Sequence, residues 1–146
     1  MIQNRTFNID ANLILKTAGL IAASAAVATI KDLGGGFTEG MLVIDITAIE
    51  IASNTEVYTL ILEGSINAAM GSTVVPLAWL QVGANEVIVG GCDVDSTIGR
   101  YIIPWTNMRD DTVYRYVRMY TIVAGTVDTD GGINYKAYLS KKIGGG

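Results

Sequence analysis

Val113-Tyr114-Arg115-Tyr116-Val117-Arg118-Met119-Tyr120-Thr121-Ile122-Val123-Ala124 is the stretch on which the reading of this 146-residue chain turns. It is dense in β-branched and aromatic residues and contains neither Gly nor Pro, so it suits an extended, pleated backbone. A two-residue period places Tyr114, Tyr116, Tyr120 and Ile122 on one face with Arg118. Val113, Val117, Met119 and Val123 fall on the other face with Arg115. No 3.6-residue period fits. The stretch predicts one long strand.

The same alternation extends in both directions. Residues 133–143 form a last strand with Ile133, Tyr135, Ala137 and Leu139 inward, after a polar hairpin loop at 126–132. Residues 100–105 form a short strand stopped by Pro104. Segments 77–82 and 86–89 flank a hairpin tip at Gly83-Ala84-Asn85. In 41–51, Leu42, Ile44, Ile46 and Ala48 oppose Met41, Val43, Asp45, Thr47 and Ile49, so both faces carry apolar groups and both require cover. In 55–64, Tyr58, Leu60 and Leu62 share a face. The Ser53-Asn54 turn between these two segments predicts antiparallel neighbours. Residues 65–75 read as a loop or irregular edge. Residues 12–26 hold enough Ala for a helix, but Val27, Thr29 and Ile30 lead into an Asp-Leu-Gly stop. An extended arm followed by a strand at 26–33 fits better. The expected fold is all-β: a two-sheet jelly-roll or Greek-key sandwich. Its parts are an N-terminal arm (1–25), the sandwich (26–143) and a short glycine tail (144–146).

Composition narrows the function. Half of the residues are hydrophobic, only 16% are charged and the net charge is −4. Mean hydropathy is +0.39. Nucleic acid is not expected as a direct partner, because phosphate neutralisation needs a basic face. So apolar a chain is expected to cover part of its surface with other subunits. The apolar run 13–30 is interrupted by Lys16 and preceded by Asp10, which opposes both a signal peptide and a membrane span.

Chemistry-bearing groups are scarce. There is no histidine, so the commonest proton-transfer side chain is missing. Cys92 is the one cysteine and stands beside Asp93, which opposes thiolate formation. It reads as a small loop or core residue. One thiol without histidine cannot build a zinc site. Asp93-Val94-Asp95-Ser96 and Asp128-Thr129-Asp130-Gly131 have the alternating acids of a calcium loop but lack its remaining ligands, and turn chemistry explains them. Asp110-Asp111, next to Arg109, reads as a polar loop. No phosphate-binding glycine motif is present, and Gly34–Gly36 reads as a flexible joint. No catalytic residue, metal or cofactor is expected. Tyr101, Trp105, Tyr114, Tyr116, Tyr120, Tyr135 and Tyr138 crowd the C-terminal half. They suit a sandwich core and subunit interface better than a sugar-stacking platform.

One resemblance spans most of the chain. Ile9-Asp10-Ala11, Leu13-Ile14-Leu15, Ala23-Ser24-Ala25, Val27 and Ile30-Lys31-Asp32-Leu33-Gly34 resemble the start of the small cement (decoration) proteins of tailed-bacteriophage capsids. Lys31 interrupts that family's stop. Gly40-Met41-Leu42-Val43-Ile44, Gly99-Arg100-Tyr101 and Tyr116-Val117-Arg118-Met119-Tyr120 look similar to later segments. The resemblance implies a non-catalytic jelly roll that binds the major capsid protein on the outside of the virion as a homotrimer. On this reading the arm reaches neighbouring subunits. Leu13, Ile14, Leu15, Met41, Val43, Ile49, Arg115 and Arg118 are the candidate interface residues, the two arginines pairing with carboxylates of another subunit. The alternatives are another head–tail or tail structural protein, or a carbohydrate-binding β-sandwich module.

Overall fold

The computed structural model describes residues 13–85, 87 and 95–141. Twelve strands follow in order: β1 (Ile14–Lys16), β2 (Leu20–Ile21), β3 (Ala25–Ala26), β4 (Lys31–Asp32), β5 (Glu39–Ile49), β6 (Val57–Ser65), β7 (Val75–Gly83), β8 (Gly99–Thr106), β9 (Met108–Arg109), β10 (Thr112–Val113), β11 (Tyr116–Ala124) and β12 (Ile133–Lys141). No α-helix occurs among the described residues. The front sheet runs β1–β12–β5–β8, with β2 also on β12. The back sheet runs β3–β11–β6–β7, with β4 also on β11. Every pairing is antiparallel.

The connectivity is that of a jelly roll. β6 and β7 form a central hairpin in the back sheet, and β5 pairs with β8 across it in the front sheet. β3 and β4 then pair with β11 at the back, and β1 and β2 with β12 at the front. The chain folds as a long hairpin whose nested arms land alternately on the two sheets.

Period-two patterning sets the core. Leu42, Ile44 and Ile46 of β5 face inward beside Tyr135, Ala137 and Leu139 of β12. They meet Tyr58, Leu60 and Leu62 of β6 and Val117 and Met119 of β11. Trp105 closes one region of this core at 4% exposure. Thr121 and Tyr135, both fully buried, join the sheets through a 2.7 Å hydroxyl–hydroxyl bond.

Three expectations are revised. Segments 41–51 and 55–64 are not sheet neighbours, since β5 lies in the front sheet and β6 in the back. Likewise 126–132 is not a hairpin loop, because β11 and β12 lie in different sheets. The intervening loops have the length to cross the ~10 Å between packed sheets. Contacts pin the crossing: Tyr58 OH donates to Glu50 O at 2.8 Å, and the Glu56 carboxylate accepts from Ser53 N and Thr55 N. Gly125 sits at φ 89, where a Cβ would collide with Thr55 O. The third revision concerns 113–124, which is broken. Val113 belongs to β10, and Asp110 and Asp111, at φ 50 and 64, make the two-residue turn of the β9–β10 hairpin.

The segment expected as an arm divides. Residues 1–12 lie outside the described residues. From Ile14 to Ala26 the chain is extended but laid along the sandwich as β1, β2 and β3. Lys16 fastens it: Nζ donates to Tyr135 O (2.9 Å), Gly19 O (2.9 Å) and Thr17 O (3.0 Å), and lies 4.6 Å over the Tyr135 ring. Burial pulls the pKa of this ammonium below the ordinary lysine value.

Candidate functional site

The outer face of the back sheet is the candidate site. Trp79 on β7, Ile61 on β6, Tyr120 on β11 and Ala26 on β3 are register partners and form a row across four strands. The next row is Gln81, Thr59 and Ile122. Trp79 is 63% exposed and Ile122 40%, while Ile61 and Tyr120 are half-buried by their neighbours. They stand out because the inward positions of the same strands hold the core: Ala78 and Val82 on β7, and Leu60 and Leu62 on β6.

The charges of this face cancel locally. Arg118 Nε donates to Glu63 Oε2 at 3.0 Å across the β11–β6 ladder, with both side chains mostly covered. Arg115 grips Asp32 with two bonds of 2.7 and 2.9 Å and lies over the Tyr116 ring. The Arg115 bonds, helped by the Gly34 N–H, hold the Asp32 carboxyl down at a pKa of about 2. The outer face of the front sheet is different. It shows the bidentate Asp45–Arg100 pair and an exposed Lys136 among Met41 and Ile102.

The eight candidate interface residues are dispersed. Leu15 is fully buried in the core and Val43 is fully buried between Tyr138 and Ile102, its register partners, so neither offers a surface. Leu13 and Ile49 pack partly against the core, and Ile14 is half-buried opposite Tyr138. Met41 alone of the apolar candidates is exposed, at 37%. Arg115 and Arg118 find carboxylates within their own chain. The reason is that strand pairing brings Asp32 and Glu63 directly beside them. Trp105, Tyr135 and Tyr138 are buried, which removes them from any sugar platform. Trp79 was missed, although a signal existed. It shares strand parity with Gln81, and so belongs to the polar side of its strand.

Other groups have structural duties. Asp95 Oδ1 accepts from Asn85 N at 2.9 Å, and Asp128 O accepts from Gly131 N at 2.8 Å, both turn contacts. Cys92 and Asp93 lie outside the described residues. Glu50, Asp128 and Asp130 border a concavity at one end of the sandwich, yet no three metal-ligating side chains converge among the described residues. Asn107, fully buried, ties the glycine joint to the rest. Its side chain accepts from Thr38 N (2.8 Å) and donates to Gly36 O (2.9 Å).

What this site offers chemically is apolar contact, ring stacking and a neutral surface. Its acid and base, Glu63 and Arg118, are bonded to each other. No protein-family model matches the chain, and no curated protein matches it.

Proposed function

We propose that this chain is a non-catalytic structural protein of a tailed-phage virion, a cement protein that binds the outer shell of the head as a homotrimer. The observation that carries the reading is the outer face of the back sheet, where exposed Trp79 and Ile122 stand beside half-buried Ile61 and Tyr120 and the Arg118–Glu63 charges are paired. Such a surface suits contact with protein better than turnover of a small molecule. The jelly-roll connectivity agrees, since that architecture is frequent in capsid and lectin domains, although fold alone assigns no function. The resemblance of 9–34, 40–44 and 116–120 to decoration proteins supplies the virion context. A symmetric oligomer suits the task, because several weak contacts engaged together hold a pressurised shell by avidity.

The test is co-sedimentation with DNA-filled heads, followed by fitting the sandwich into density on the outside of the shell. Failure to bind heads refutes the cement reading. The arm is tested by deleting residues 1–12. A deletion through residue 25 also removes β1 and β2 and bares the edge of β12, so it confounds binding with folding.

One observation favours a second reading. Trp79 and Tyr120 stand two strand spacings apart on one sheet face, beside Gln81 and Thr59, as in a platform for stacked sugar rings. A glycan array separates the two readings, since a cement protein shows no specific sugar.

A further inference from the structure

We infer that copies of this chain meet through the outer face of the back sheet, with the β7 edge at the margin of the contact. This rests on the oligomeric part of the function proposed above and adds the surface that builds it.

Three observations name a second copy as the occupant. The first is electrical. The chain carries a net charge of −4, so identical subunits repel over most approaches. On this face the charged side chains Glu63 and Arg118 already neutralise each other and are 16% and 21% exposed. Two such faces approach without stranding a charge, and burying this pair removes little further water from it. A strongly charged partner finds no complement here. The front sheet, with Asp45, Arg100 and Lys136 on its outer side, lacks this neutrality.

The second is size. β11, β6 and β7 each hold nine residues, and β3 and β4 add a fourth strand position. At ~3.3 Å per residue and ~4.8 Å per strand the face spans roughly 20 by 30 Å, on the order of 600 Å² in projection. Side-chain relief brings the accessible area toward the ~800 Å² per partner of a standard interface. The face includes Thr59, Gln81, Glu63 and Arg118 beside the apolar row, and its extent lies at the upper end of the roughly 300–600 Å² patches found on solitary soluble proteins.

The third is the edge. Val75–Gly83 contains no charged residue, and among the described strands β7 has a neighbour only on the β6 side. Arg109 Nη1 donates to Pro76 O at one end of this edge and Ser96 N to Gly83 O at the other, both at 3.0 Å, so the part left without a charge or proline guard is the middle, beside the exposed tryptophan. The face and its edge are therefore continuous parts of one covered surface. Packed sheet faces interdigitate at ~10 Å, which lets Trp79 and Ile122 of one copy enter the relief beside Ile61 and Tyr120 of another. Three faces around an axis, or two back to back, satisfy the same requirement.

The experiment is the solution mass of the full chain by size exclusion with light scattering, for the wild type, Trp79→Glu, Ile122→Lys and Phe37→Ser. Phe37 is 55% exposed on the loop between β4 and β5 and belongs to neither row of the face. The wild type and Phe37→Ser are expected to give the same multiple of 15.5 kDa. Trp79→Glu and Ile122→Lys are expected to elute as single chains at micromolar concentration. Near-UV dichroism from buried Trp105 reports that the variants remain folded. A monomeric wild type overturns the inference and the oligomeric reading with it. Folded Trp79→Glu and Ile122→Lys at wild-type mass overturn the inference alone. Trp79-dependent glycan binding with unchanged mass overturns it in favour of a sugar platform.

Discussion

Replacing Thr121 by Val removes one oxygen from the middle of the sandwich and keeps the side-chain shape. That oxygen is 2.7 Å from Tyr135 OH, both residues are fully buried, and they belong to different sheets. In Thr121→Val the phenol is left among apolar groups with no water, and an orphaned buried hydroxyl costs about 1–3 kcal/mol. Tyr135→Phe orphans the threonine hydroxyl at a similar cost. The double variant leaves nothing unsatisfied and is expected near wild-type stability, since removing both partners of a buried bond is close to neutral. The coupling between the two sites, the double-variant change less the two single costs, is then about 2–6 kcal/mol in magnitude. For a domain of this length about 3 °C accompanies each kcal/mol, so each single variant is expected to melt roughly 3–9 °C lower. Urea and thermal melts by circular dichroism provide the measurement, at one protein concentration because the proposed association would shift the midpoint. A double variant as unstable as the sum of its singles would show that the hydroxyls do not act as a pair and would refute the reasoning.

Three further outcomes are expected. Asn107→Ala strips partners from Thr38 N–H and Gly36 O and is expected to cost at least about 2 kcal/mol; hydrogen exchange at the Thr38 amide should accelerate with it, and an unchanged rate counts against the assignment. Alkali should unfold the protein in a defined window: burial raises the Tyr135 pKa to about 12, the unfolded phenol titrates near ~10, and the folded state retains a proton that the unfolded state releases. That contribution, about 2–3 kcal/mol, is intact below pH ~10 and lost as the pH climbs through ~12, so a denaturation midpoint that stays flat over this range sinks the prediction. At the β9–β10 turn, Asp111→Gly relieves an L-residue held at φ 64 and is expected to raise stability by about 0.5–1 kcal/mol, measured as the shift of the urea midpoint.

The proposed association surface was only partly legible from sequence. The crowding of hydrophobic residues against few charges announced that something must be covered, but composition is a sum and has no address. Met41 and Val43 are one turn of the pleat apart on the same face of β5, with equivalent patterning. One is 37% exposed and the other fully buried; Val43 has Tyr138 and Ile102 as register partners, Met41 the smaller Ser140 and Pro104. Arg115 and Arg118 invited partners from another subunit. Asp32, 83 residues away, and Glu63, 55 residues away, reach them first through antiparallel registers that no local pattern encodes.

What the sequence determined by itself was the two-residue rhythm and therefore the inner and outer side of each strand. The alternation of Leu42, Ile44 and Ile46, of Tyr58, Leu60 and Leu62, and of Tyr135, Ala137 and Leu139 is a local property, and burial follows it directly. Which sheet each strand joined was decided only by the tertiary structure. A loop such as 50–56 can either fold back on its own sheet or cross to the other, and the residues inside it leave both open. The choice depends on pairings between the two ends of the chain: β12 fills the place beside β5, and β11 the place beside β6. Those long-range ladders set which rows align, and so put Trp79, Ile61 and Tyr120 side by side on a surface that no single segment describes.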